Sequence, residues 1–312
     1  MVRAAGRAIL DVMSEGLACV MTTMPVCERA VAACFRRAAP LPGVRRVSRH
    51  VFAALQRHAA RSADSIRAVP LGRGAWMKVP LQDYCGSLYF DRSSFEPQTA
   101  RFLAGRLRAG DVFVDVGASY GFYTLLAGAV LRTRGGGKVV AFEPNPSVRA
   151  LLEESVRLSE LEECVAVHPF ALGRQDAGRA RLFLGDAQNT GLSTLQPWAE
   201  HLRSGALSAE RTLEVECRSL DGLLREGRIE RADVMKVDVE LAELEVFLGG
   251  VEFLERLRPR HIICETALGG EATAFLRERG YEATLLEPLS PHAADWGNVL
   301  FTARDANARQ GQ

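Results

Sequence analysis

The chain has 312 residues, 47% of them hydrophobic and 25% charged, with a formal net charge of +1. This is enough apolar material for a large core, and it excludes a disordered or collagen-like chain. The near-zero charge argues against a nucleic-acid partner, and the seven cysteines, none of them in a C-x-x-C pair, argue against a disulfide framework or a zinc site.

Residues 1–64 read as helical, with Pro25 and the Pro40-Leu41-Pro42-Gly43 stretch as breaks. Ile9, Val12, Met13 and Leu17 fall at helical spacing, and so do Val47, Val51, Ala54 and Leu55. Such faces suit docking on a main domain or a homodimer contact, and both readings stay open. The apolar run over residues 8–34 is broken by Asp11, Glu15 and Glu28, so neither a membrane span nor a secretory signal is expected. Residues 36–61 are rich in arginine and read as a solvated helical face. A soluble, cytoplasmic protein with reduced thiols is the expectation. The main domain is expected over residues 65–305, followed by a flexible tail at 306–312.

Residues 65–94 read as a small β region, with strands at 75–79 and 87–90, and residues 95–107 as a helix. Then comes GDVFVDVGASYG at 110–121. Val112, Phe113, Val114 and Val116 form a short apolar run, as a strand covered on both faces of a parallel sheet does. Asp115 interrupts it, Gly117 and Gly121 follow, and residues 122–131 read as an apolar helix. Strand, glycine turn and helix open a nucleotide-binding βαβ unit. The spacing is acidic-x-Gly-x-x-x-Gly, not the dinucleotide G-x-G-x-x-G. A carboxylate beside the turn suits a ligand with an amine or cationic group better than a pyrophosphate. The next apolar run, KVVAF at 138–142, ends in Glu143, placed to bind two ribose hydroxyls. The pair points to an adenosine-containing ligand.

Strand–helix alternation continues. Residues 146–158 read as a helix, 164–167 as a strand, and 179–184 as an extra strand. The polar stretch 185–197 is a candidate substrate loop containing Asn189, Ser193 and Thr194. Residues 213–217 alternate as a strand and 219–224 start a helix. Residues 233–240 read as a strand with the carboxylates Asp238 and Glu240 at its C-terminal end, followed by a helix at 243–248. Residues 261–264 form another strand, ending in Glu265. A helix at 271–279 and a hairpin of 281–285 with 298–302 close the domain. Acids thus recur at or near the ends of four strands: Asp115, Glu143, Asp238 and Glu265. In an open α/β sheet, ligands bind outside the carboxyl ends of the strands.

The ordered motifs VDVGASYGFYT (114–124), AFEPNP (141–146), FALG (170–173), SLDGLL (219–224) and KVDVELAELEVFLGG (236–250) resemble the FkbM family of S-adenosylmethionine-dependent methyltransferases. The resemblance runs from about residue 95 to 301. It implies a Rossmann-like α/β fold with a seven-stranded, mostly parallel sheet of order 3-2-1-4-5-7-6. Carried over residue by residue, it implies S-adenosyl-L-methionine as cofactor. Asp115 and Gly117 would lie at its methionine end, with Ala118, Ser119 and Gly121 completing the turn. Glu143 would hold the ribose, and Ala171 and Leu172 would lie near adenine. Asp238 and Glu240 would face the acceptor. Family members usually methylate a hydroxyl on a sugar or natural-product scaffold, so a small-molecule or glycan acceptor is implied. Two residues depart from the family pattern: Ser119 replaces an asparagine and Leu241 a glycine. If position 241 takes positive φ, leucine there costs roughly 1–2 kcal/mol. If glycine merely makes room for the acceptor, Leu241 narrows the pocket.

Asp238 is the expected general base, with Glu240 second. Lys236 shares a face with Asp238 by two-residue alternation, and a buried ion pair is expected. His168 and His261 are expected to be structural. A metal-free site is preferred to an oxygen-ligand set of Asp238, Glu240 and Glu265. The competing readings are a catalytically impaired cofactor-binding or interaction protein of the same fold, and a nicotinamide oxidoreductase, which the glycine spacing disfavours.

Overall fold

The computed structural model describes residues 65–89, 95–176, 178–197, 202, 207–290 and 294–304. The expected N-terminal helices at 1–64 and the tail at 306–312 lie outside the described residues, as does Phe90. The described chain divides into two compact units. The smaller takes in residues 65–70, 78–89, 95–97 and 187–189, and the larger residues 71–77, 98–186 and the described chain from 190 onward.

Strands β1 (Ile66–Gly72) and β2 (Ala75–Pro80) pair as a two-stranded sheet. The strand expected at 87–90 is not formed: Tyr84–Tyr89 is a 3-10 helix. Asp83 dictates this locally, because its buried side chain accepts the Cys85 N–H at 2.9 Å and so starts a tight turn.

In the larger unit, helix α1 (Pro97–Arg106) starts at a proline, two residues later than its pattern suggests. Its first amides are satisfied by Glu287, whose Oε2 accepts from Gln98 N (3.0 Å) and Thr99 N (2.8 Å). Strand β3 (Val112–Val116) leads through the glycine turn to α2 (Phe122–Thr133), β4 (Lys138–Phe142), α3 (Pro146–Leu158) and β5 (Val165–His168). Asn145 caps α3 by accepting from Ser147 N, and Pro146 occupies its first turn. Strands β6 (Ala171–Leu172), β7 (Gly178–Gly185) and β8 (Leu207–Arg218) follow, then α4 (Leu220–Arg225) and β9 (Val234–Val237). Helices α5 (Glu243–Leu248) and α6 (Val251–Leu257), strand β10 (His261–Ala267), helix α7 (Glu271–Glu278), β11 (Tyr281–Pro288) and β12 (Trp296–Ala303) complete the unit. Among the described residues, no helix is long and apolar enough to cross a membrane.

The main sheet has seven strands in the order β11-β12-β10-β9-β3-β4-β5. Strands β5, β4, β3, β9 and β10 run parallel, while β12 is antiparallel to both β10 and β11. This is the expected 3-2-1-4-5-7-6 arrangement. The central strands are buried on both faces: all four residues of β9 and the last four of β3 are inaccessible. The two extra strands do not join this sheet. They pair antiparallel as β7 and β8, with β6 on the far side of β8, around Ala171, Leu182 and Val215. Strand β10 runs three residues past its expected end, so Glu265 lies within the strand rather than after it.

The amino ends of β3, β9 and β10 are fastened by charge. Arg260 bonds Asp111 (2.8 Å) and Asp233 (2.9 Å), and Asp233 also accepts the Val112 N–H at 2.8 Å. Asp111 is 2% exposed and also accepts Arg108 N at 2.6 Å. Removing one member of such a set leaves a desolvated partner. Asp111→Ala is therefore expected to lower the unfolding free energy by about 2–3 kcal/mol in urea titrations. Ligand affinity at the opposite end of the sheet is expected to be unchanged.

Candidate functional site

Strand register decides where the acids go. Phe142 pairs with Val116, Val116 with Val237, and Cys264 with Val237. One residue further along, Glu143, Gly117, Asp238 and Glu265 therefore form a single row at the carboxyl rim of four parallel strands. The chain turns sharply there. Gly117 has φ +82°, and a Cβ on it would sit 1.8 Å from the Asp238 carbonyl oxygen, so only glycine fits. Gly117 N and Ala118 N both donate to Phe142 O, at 3.1 and 2.9 Å. Gly121 opens α2 with φ +91°, where a Cβ would collide with Leu152.

A cavity of about 590 Å³, counted with its open mouth, lies on this row. Gly117, Ser119 and Glu143 form one wall, and Phe142, Val148, Phe170, Ala171 and Leu172 form an apolar one. Asp238, Val239 and Ala242 stand on the β9 side, and Thr190, Ser193, Thr194 and Leu195 come from the segment joining β7 to β8.

Glu143 is 7% exposed. Its Oε2 accepts from Ser119 N (2.9 Å) and its Oε1 from Asn145 N (2.8 Å). A carboxylate offers about four acceptor sites, so two remain for a vicinal diol such as a ribose. Burial pushes the Glu143 carboxyl up to about 7, opposed by those two amide bonds and by Arg149. The apolar wall beside it fits a planar base, and the residues present therefore fit an adenosyl group.

Among the expected cofactor residues, Gly117, Ser119, Glu143, Ala171 and Leu172 line the cavity. Asp115, Ala118 and Gly121 are not among its lining residues. Asp115 is 2% exposed and accepts the Thr124 hydroxyl at 2.5 Å, tying β3 to α2. Burial pushes its carboxyl up to about 6, against the Thr124 bond and the charge of Lys236. Of the two expected acceptor-side acids, Asp238 lines the cavity and Glu240 does not. Lys236 is fully buried and bonds Asp238 Oδ2 at 2.8 Å, with the Tyr123 ring 5.3 Å from its Nζ. The ion pair read from the alternation is present. His261 contacts Thr302 and Phe102 at the amino end of β10, away from the rim. His168 stacks between Phe142 and Phe170, and burial followed by Arg228 lowers its basicity.

Glu240 and Leu241 both adopt left-handed backbone, with φ +55° and +75°. Of the two explanations for a glycine at 241, backbone freedom is the one this geometry carries, because Leu241 is not a cavity wall. Sequence reasoning did not single out Glu243. This first residue of α5 is 5% exposed and accepts from both Val239 N and Leu241 N. The signal available was a third acid, three residues after Glu240, at a helix start.

The sequence model of a family described as "Methyltransferase FkbM domain" matches residues 115–283. Three curated relatives align with the chain. The AMB antimetabolite synthetase AmbE of Pseudomonas aeruginosa is 28% identical over 210 residues, 56% of this chain and 10% of that protein. Methyltransferase 1 of Beauveria bassiana is 30% identical over 149 residues, 44% of this chain and 57% of that protein. Methyltransferase sdnD of Sordaria araneosa is 28% identical over 203 residues, 57% of this chain and 76% of that protein. The chain thus spans a tenth of the first relative and little over half of the second.

Two outcomes follow from the turn and the acids. Replacing a left-handed leucine by glycine removes strain, so Leu241→Gly is expected to stabilise the fold by about 1 kcal/mol in chemical denaturation. Burial pushes Glu143 and Glu243 up to about 7, and burial with repulsion from Asp238, Glu265 and Glu243 pushes Glu240 up to about 9. The folded protein then holds protons that the unfolded chain releases near ordinary carboxyl values, so raising the pH favours unfolding. The melting temperature is expected to fall as pH rises from about 5 to about 9, and Glu240→Gln to flatten the part of that fall above about pH 7.

Proposed function

The chain belongs to the FkbM methyltransferase family, and on that premise we propose that it methylates a hydroxyl on a sugar, glycan or secondary metabolite. The observation that carries this reading is the row Glu143–Gly117–Asp238 on one cavity, with a carboxylate at each end.

S-adenosyl-L-methionine, when bound, supplies a methyl group on a positively charged sulfur. Glu143 would accept the ribose hydroxyls, and Phe170, Ala171 and Leu172 would cover the adenine. The Gly117–Ser119 backbone would lie against the methionine end. Asp238 would orient the acceptor hydroxyl and take its proton. Lys236 holds the Asp238 carboxylate in one direction through Oδ2. Alignment of this kind lowers a barrier by about 7–11 kcal/mol, and a placed base adds about 10²–10⁴-fold. Thr194 and Leu195 would exclude water from the acceptor side. A cytoplasmic setting, suggested by the absence of paired cysteine spacing in the sequence, is part of this reading. The left-handed Leu241 favours one second reading, a member that binds the cofactor but has lost transfer.

Titration calorimetry with S-adenosyl-L-methionine is expected to show one site, weakened about 100-fold in Glu143→Gln, which loses charge-assisted bonds to both ribose hydroxyls. With isotope-labelled methyl donor and a panel of hydroxylated glycans and metabolites, Asp238→Asn is expected to lower transfer by about 10²–10⁴-fold. Binding without transfer to any acceptor selects the second reading. A folded protein that does not bind the donor removes both.

A further inference from the structure

The turn after β9 is held in a conformation its own residues disfavour. Glu240 and Leu241 are consecutive left-handed residues with side chains, a state opposed by Cβ–carbonyl contact. Such backbone persists only where its surroundings over-determine it. Here two side chains from other elements do so. From α5, Glu243 Oε1 accepts from Val239 N (3.2 Å) and Leu241 N (3.1 Å). From the segment joining β7 to β8, the Thr194 hydroxyl donates to Glu240 O at 2.5 Å and accepts from Gln196 N at 3.0 Å.

Thr194 is itself fixed. It is 2% exposed, and its backbone exchanges two hydrogen bonds with Phe183 of β7, at 2.9 and 3.0 Å. The same segment reaches the other side of the cavity, where Thr190 Oγ1 bonds the Tyr120 hydroxyl at 2.9 Å within the glycine turn. One short segment is therefore tied by threonine hydroxyls to both turns that carry the row of site residues.

We propose that Thr194 and Glu243 are positioning residues that clamp residues 239–241 in the left-handed turn and so fix Asp238 and Val239 as the acceptor-side wall of the cavity. The meaning of that wall rests on the methyltransferase reading; the clamp does not. The three-stranded sheet, standing outside the parallel sheet, thereby shapes the acceptor side through one hydroxyl group. Leu241 adds to what the clamp must hold, because a glycine there would relieve one of the two strained residues.

Amide hydrogen exchange on the full chain tests this, read as protection factors for residues 239 and 241. Thr194→Val keeps the shape and removes the hydroxyl, and Thr194→Ser keeps the hydroxyl. Protection is expected to fall about tenfold in the valine variant and to return within about threefold of wild type in the serine variant. In a Leu241→Gly background, the effect of Thr194→Val is expected to shrink to about twofold or less. An equal fall in both backgrounds would mean that Thr194 only packs, and no fall would mean that it clamps nothing; either overturns the proposal. Should Thr194→Val fail to fold, the double variant is expected to fold, and its failure overturns the proposal too. Calorimetry of the wild type with S-adenosyl-L-methionine runs alongside. Absence of binding there would sink the methyltransferase reading and leave the exchange result standing.

Discussion

Everything at the site depends on parallel register. Because β4, β3, β9 and β10 pair in step, Glu143, Gly117 and Asp238 leave their strands side by side, in line with Glu265 within β10. The hydrogen bonds of the sheet do not stop at the strand ends. Gly117 and Ala118 still donate to Phe142 O, Asp238 N donates to Val116 O, and Glu143 N donates to His168 O. The row is thus an extension of the ladder. A slip of one residue in any of these pairs would turn an acid to the opposite face and dissolve the cavity wall.

Gathering carboxylates in this way is costly, since Asp115, Glu143 and Glu243 are desolvated and several acids repel one another. The compensation differs from residue to residue. Glu143 and Glu243 accept backbone N–H groups, Asp115 accepts a threonine hydroxyl, and Asp238 has a buried lysine. Each partner also orients its carboxylate, so satisfaction and positioning are the same contact. The other end of the sheet spends its acids differently. Asp111 and Asp233 pair with Arg260 and hold strands together. Glu143 and Asp238 line a pocket at the rim, and the base acids face arginines.

Much of this was legible in the residues. Strands β3 and β4 and helices α3 and α5 lie where their patterns put them, because a doubly covered parallel strand is a plain apolar run and Asn-Pro is a strong helix start. The rim acids were visible for the same reason: a charge ending an apolar run must sit where water or a ligand begins. What was not legible depended on partners distant in sequence. Alternation marks a strand but does not choose its sheet, so β7 and β8 were seen without their separate three-stranded sheet. The 3-10 helix at Tyr84–Tyr89 was hidden by its aromatic and apolar residues, while one aspartate ahead of it set the turn. Asp115 and Glu240 belong to the right motifs, yet their carboxylates do not line the cavity, and only packing decides that. Glu243 read as an ordinary helix-start acid until the left-handed residues before it showed what it restrains.

One adenosyl-sulfonium molecule is expected to lie along the rim between Glu143 and Asp238. A crystal structure of the protein with S-adenosyl-L-homocysteine is the most direct measurement. It is expected to show both ribose hydroxyls bonded to Glu143, the adenine between Phe170 and Leu172, and the sulfur beside Gly117 on the side toward Asp238. Density for the ligand at any other place, or a ribose that leaves Glu143 bonded only to Ser119 and Asn145, would contradict it.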